Sequence, residues 1–110
     1  MKKRMIQKEV FDVRERAMYV VSYVIRKIDL KTLNEGYKKV YTRDDSVRDY
    51  PFEKATLWES KDMAESFAKW LRAEMSVEGR GWSPKTISSI KVETLIVRQE
   101  TIKTISRVIE

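Results

Sequence analysis

Residues 18–28 constrain the fold more than any other part of the chain. The run Met-Tyr-Val-Val-Ser-Tyr-Val-Ile-Arg-Lys-Ile is dense in β-branched and aromatic side chains and contains neither glycine nor proline, which is the composition of a strand. Successive strand residues point to opposite faces. Tyr19, Val21, Tyr23 and Ile25 therefore share one face, and Val20, Ser22, Val24 and Arg26 share the other. A segment that is apolar on both sides must be covered on both, so this strand is predicted to be central in its sheet.

The rest of the chain supplies what would surround it. Asn34-Glu35-Gly36 is a turn signal, and Lys38–Thr42 after it reads as a second strand, so residues 19–42 are expected to form an antiparallel hairpin. Arg43–Pro51 is a polar, Asp-rich loop, and Phe52–Trp58 reads as a short strand or extended segment leading into a helix. Ser60 is a good N-cap, and Asp62 sits where a negative charge favours the positive end of a helix. From Lys61 to about Val77 the pattern is helical: Ala64, Phe67, Ala68, Leu71 and Met75 form one stripe, flanked by Met63 and Trp70. Gly79 and Gly81 are expected to end this helix. Trp82–Lys85 reads as a loop and Ile87–Val97 as a strand. Residues 100–110 fit a helix or a strand, and their Thr and Ile content favours the strand. At the other end, Ile6, Val10, Val13 and Ala17 fall at helical spacing, although Val10–Val13 would equally begin a strand. Residues 1–16 are thus expected to be a basic N-terminal arm or short helix, and residues 17–110 a single α+β domain. The fold class expected is α+β, an antiparallel sheet of 3–5 strands with one main helix packed across one face.

Composition restricts the chemistry. The 110 residues include no cysteine and no histidine. Disulfides, thiolate metal sites and thiol nucleophiles are excluded, as are imidazole general bases and His-containing zinc sites. No catalytic site is recognisable, so the chain is read as a non-enzyme needing no cofactor. No signal-peptide core follows the basic start, and the longest apolar stretch, Ala17–Ile25, is too short to span a bilayer. A cytoplasmic location is the expectation, without membrane contact. Of the net charge of +6, residues 1–55 carry +5 and residues 56–110 only +1, so an anionic partner would be drawn to the first half.

Four groups of residues are candidates for function. Asp44, Asp45 and Asp49, with Glu53 nearby, offer oxygen ligands of the kind hard cations take, but the spacing matches no known calcium loop and the loop has no glycine, so no metal is assigned. Lys2, Lys3, Arg4 and Lys8, with Arg14 and Arg16, would meet phosphates, and Glu9, Asp12 and Glu15 interleave with them. Tyr19, Tyr23, Tyr37 and Tyr41 would cluster across the predicted hairpin, where cross-strand packing accounts for them. In Gly79-Arg80-Gly81-Trp82, Arg pairs with phosphate and Trp stacks on bases, or Trp82 folds back onto the core. The candidate partner-binding residues are Lys38, Lys39 and Arg43 along the second strand, with Arg80 and Trp82 at the helix end.

The stretch from Ala55 to Trp70, Ala-Thr-Leu-Trp-Glu-Ser-Lys-Asp-Met-Ala-Glu-Ser-Phe-Ala-Lys-Trp, resembles the strand–Ser/Thr–helix unit of small proteins encoded by phages and other mobile elements. There an aromatic ends a strand, Ser or Thr caps the helix, and Ala and an aromatic face the sheet. Anti-CRISPR proteins belong to that group. The resemblance covers about a third of the chain and brings no functional residues with it. It implies a protein that binds and disables a host factor. The basic excess departs from the acidic DNA mimics among them and directs attention to a nuclease or its bound nucleic acid. The function expected is stoichiometric binding to a host protein or ribonucleoprotein, such as a CRISPR or other defence nuclease. The alternative is a basic module binding RNA or DNA.

Overall fold

The computed structural model describes residues 3–109. Their elements are β1 (Lys3–Ile28), β2 (Glu35–Tyr41), a single 3-10 turn (Phe52–Lys54), α1 (Lys61–Met75), a short α2 (Pro84–Ser88) and β3 (Lys91–Ile109). The protein is α+β, with an antiparallel sheet in the order β2-β1-β3 and one main helix. β1 is the central strand, as its two apolar faces require. The described residues divide into two compact units, 18–95 and the pair of segments 3–17 and 96–109.

In the first unit β1 and β2 form the expected antiparallel hairpin, with Tyr23 opposite Val40, Ile25 opposite Lys38 and Ser22 opposite Tyr41. Residues opposite each other share a face. Val21, Tyr23 and Val40 join Ala64, Phe67, Ala68, Leu71 and Met75 of α1, and Ile90, in one buried cluster. All five residues of the helical stripe expected from the sequence are in that core. The register separates the four tyrosines that the sequence suggested as a cluster. Tyr23 lies on the Val40 face, whereas Tyr41 and Tyr37, opposite Ser22 and Arg26, lie on the reverse. Thr42 is buried beyond the strand end, its hydroxyl donating to the Val21 carbonyl at 2.9 Å.

α1 begins as predicted: the Ser60 hydroxyl accepts from the Met63 N–H at 3.4 Å. It ends two residues earlier than expected. The Ser76 hydroxyl donates to the Arg72 carbonyl at 2.6 Å, closing the last turn before any glycine is reached. Gly79 and Gly81 serve the turn that follows, at φ of 87° and 79°, where a side chain would be strained. The Arg72 guanidinium donates to the Ile90 carbonyl at 2.8 Å, tying the helix to the chain just before β3.

Two further elements differ from the sequence-based expectation. Residues 84–88 are helical, where a loop and the start of a strand were predicted. Ser83 caps this turn by accepting from the Thr86 N–H at 3.1 Å, and Pro84 occupies the first helical position, where its missing N–H costs nothing. Ile87 and Ile90 thus belong to the approach to β3. At the N-terminus, the helical spacing of Ile6, Val10, Val13 and Ala17 gives no helix, because residues 3–17 continue β1. In the second unit that segment accompanies residues 96–109 of β3. Hydrogen bonding to a neighbouring strand overrides the helical spacing, since a helix this short is marginal without packing. The strand reading of the C-terminal tail holds through Ile109.

Candidate functional site: an acid and aromatic cleft

Three segments of the first unit converge on one cleft, lined by Asp44, Asp45, Trp58, Asp62, Met63, Ser66, Phe67 and Trp70. Each is held in place by backbone geometry. The Asp44 N–H donates to the Thr56 hydroxyl at 2.8 Å, and the Thr56 N–H donates to the Thr42 carbonyl at 3.0 Å. These bonds fasten the loop after β2 to the extended chain before α1. Asp45 adopts φ 57°, a left-handed conformation that Asp tolerates better than most residues. Trp58 is fixed by a pair of bonds to β1, its N–H donating to the Tyr19 carbonyl at 2.7 Å and its carbonyl accepting from the Tyr19 N–H at 2.8 Å. Asp62, Met63, Ser66, Phe67 and Trp70 come from one side of α1, since residues three, four and seven or eight apart line one face of a helix.

The floor is a row of rings. Trp58 and Phe67 have centroids 5.3 Å apart, and Phe67 and Trp70 5.5 Å, both pairs tilted by 31°. Phe67 is buried in the core, and Trp70 is the more exposed ring of the row. The Trp58 indole N–H is buried and has no acceptor among the described residues. The rim carries three carboxylates, and among the described residues none of Asp44, Asp45 and Asp62 is in an ion pair of the fold. Carboxylates lining a cleft together with aromatic rings attract an organic cation twice, by charge and by ring quadrupole.

The residues singled out from the sequence lie elsewhere and do not form one patch. Lys38 and Lys39 are neighbours in a strand and so face opposite ways. Lys39 is engaged by Glu93 of β3 and stands 5.6 Å from the Tyr41 ring centre. The bond to Glu93 raises its ammonium above the ordinary value. For Glu93 itself, partial burial works to raise the carboxyl, but the bonds from Lys39 and Lys91 outweigh it and hold it below the usual range. Arg43 lies over the Tyr50 ring at 5.6 Å. Arg80 is paired with Glu74 at 3.4 Å. Trp82 meets Tyr23 edge-on, with centroids 5.9 Å apart, and packs against the core cluster. Asp44 and Asp45 of the acidic loop reach the cleft and Asp49 and Glu53 do not line it. Among the described residues no group of three or more His, Cys, Asp or Glu is arranged to hold a metal ion, and no helix is long and apolar enough to cross a membrane.

The sequence reading missed the cleft because its parts belong to different categories there: a loop carboxylate pair, a strand-ending Trp and a helix flank. The usable signal was Trp70, which lies beside the apolar stripe with Met63 and so has to face something other than the core. No protein-family model, curated protein or solved structure matches the chain.

Proposed function

We propose that the protein is a non-catalytic binding protein that acts by occupying a host protein or ribonucleoprotein, in the manner of the small phage and mobile-element proteins its Ala55–Trp70 segment resembles. A CRISPR or other defence nuclease is the target class in view. The observation that supports this most is the cleft: three carboxylates, unpaired among the described residues, stand around a row of three rings in a chain whose net charge is +6. In a protein with so many cations, carboxylates left without internal partners are suited to an external one. An arginine or lysine side chain of a partner protein matches the site in charge and in affinity for aromatic rings. Nucleoprotein enzymes carry such side chains in abundance.

The test is affinity capture from a host lysate, with and without nuclease treatment, followed by inhibition titration of the captured target. The wild-type chain is expected to retain its partner after nuclease and to inhibit at a fixed stoichiometry. Asp45→Asn, which keeps the left-handed backbone tolerable while removing the charge, and Trp70→Ala are expected to release it. Retention by both variants at wild-type strength contradicts the reading, as does multiple-turnover activity of the purified chain.

A further inference from the structure

The second unit is a two-stranded ribbon, residues 3–17 of β1 with residues 96–109 of β3. No side chain described in it is buried. Arg14, Glu15 and Arg16 flank one cleft with Val97, Arg98 and Gln99, which sets the two triplets side by side. In an antiparallel pair, opposite residues share a face. Upstream, Lys39, which stands opposite Val24, is engaged by Glu93, so even positions of β1 stand with odd positions of β3, and strand alternation carries this into the ribbon.

Charge follows this alternation. Lys8, Arg14, Arg16, Lys103 and Arg107 fall on one face, with Asp12 the one acid among the described side chains there. Among the described side chains, the other face holds Glu9, Glu15 and Glu100 against one cation, Arg98. Within each strand, Arg14 pairs with Asp12 at 3.3 Å and Arg98 with Glu100 at 2.9 Å. Over its described side chains the ribbon is thus net cationic on one side and net anionic on the other, a segregation that a merely solvated ribbon does not need.

We infer that the cationic face of this ribbon binds the sugar-phosphate backbone of duplex DNA, with the ribbon lying in the major groove. The major groove of B-form DNA is wide enough for two paired strands, and about 14 residues of strand reach roughly 45 Å, more than one helical turn. Pairing of two copies through the free edge of β1 is the competing use of an open ribbon. It is disfavoured by charge. Antiparallel pairing about a twofold axis places residues of like parity opposite, and the cations Lys8, Arg14 and Arg16 all have the same parity, so most registers bring like charges together. The inference uses no residue of the acid and aromatic cleft and stands or falls separately from the function proposed above.

The test is fluorescence anisotropy of a labelled 20-base-pair DNA duplex over a salt series, with a duplex RNA of the same sequence for comparison. If about four phosphates are neutralised, affinity falls about 150-fold between 50 and 200 mM salt. Lys8→Gln and Lys103→Gln are each expected to lower the magnitude of the log–log salt slope by about 0.9, and Arg98→Gln on the opposite face to leave it unchanged. RNA is expected to bind more weakly, because its major groove is too narrow and deep. Circular dichroism of each variant checks that the strands persist. Absence of DNA binding at 50 mM salt overturns the inference. So does an Arg98→Gln effect equal to that of Lys103→Gln, which would mean net charge alone, or equal affinity for the RNA. Sedimentation showing a dimer that the Lys103→Gln change dissociates would assign the ribbon to self-association instead.

Discussion

Tyr23→Phe should leave the protein as stable as before at neutral pH, or more stable, and should flatten its loss of stability in alkali. The Tyr23 ring is in the core and its hydroxyl has no hydrogen-bond partner among the described residues. Burial pushes its pKa from 10.0 up to about 12, with the Asp49 charge adding to the shift. An unpaired buried hydroxyl carries a desolvation penalty of about 1–3 kcal/mol, which Phe does not incur. The alkaline effect has a definite sign. Between pH 10 and 12 the unfolded chain releases the Tyr23 proton and the native chain retains it, so the native state binds more protons and stability falls as pH rises. Below pH 10 the contribution is fully present; by the folded value it is largely lost. The rise from 10.0 to about 12 amounts to roughly 2–3 kcal/mol over the window. Urea unfolding midpoints of both proteins at pH 8, 10, 11 and 12 isolate this residue, because the remaining tyrosines cancel in the difference. Absorbance at 295 nm should show one tyrosine of five titrating late in the wild type. Parallel stability curves for the two proteins across pH 10–12, or a neutral-pH loss above about 1 kcal/mol on removing the hydroxyl, would refute the reasoning.

Other outcomes follow from the packing. Leu71 is fully buried at the centre of the helical stripe, and Leu71→Ala is expected to cost about 2–5 kcal/mol, a large share of the stability of a domain this size, read as a lower urea midpoint. Glu93, held below its ordinary pKa and set between Lys39 and Lys91, contributes stability that is present at neutral pH and lost as pH falls through its folded value. Glu93→Gln should therefore cost at most about 1 kcal/mol at pH 7 and should flatten the acid limb of the stability curve below about pH 5; an unchanged acid limb would show the pair to be idle.

How much of this was legible in the sequence varies by element, for physical reasons. The central strand, the hairpin partner and α1 were readable because each combines a periodic apolar pattern with a local signal. Ser60 caps the helix whose stripe begins at Ala64, and Val40 anchors β2 in the core, although Glu35 and Gly36, expected in the turn, already pair with Ile28 and Lys27. The short α2 was also signalled, by Ser83 followed by Pro84, but the β-branched content of the residues after it masked the cap. The N-terminal segment was not readable. Its residues suit either period, and the decision was made by β3, some eighty residues away, which no local pattern reveals. The same distance hides the two-faced charge of the ribbon, because an interleaved run of Lys, Glu, Asp and Arg looks neutralised until the chain is known to be extended. At the cleft, Trp58 was seen as a strand terminator and Asp62 as a dipole partner. Both roles are compatible with the structure, and neither indicates that the two side chains line one cavity with Asp44, Asp45 and Trp70.

The three tryptophans provide a direct measurement of the central claim, that an organic cation seats itself between the carboxylates and the rings. Each contributes one indole N–H resonance, and Trp82, packed against Tyr23 away from the cleft, serves as the internal control. Titration with N-acetyl-arginine methylamide is expected to move the Trp58 and Trp70 resonances with an affinity near the millimolar range, to leave Trp82 in place, and to lose its effect when Asp45 and Asp62 are both changed to Asn. Shifts of equal size at all three indoles, or none at saturating ligand, would contradict it.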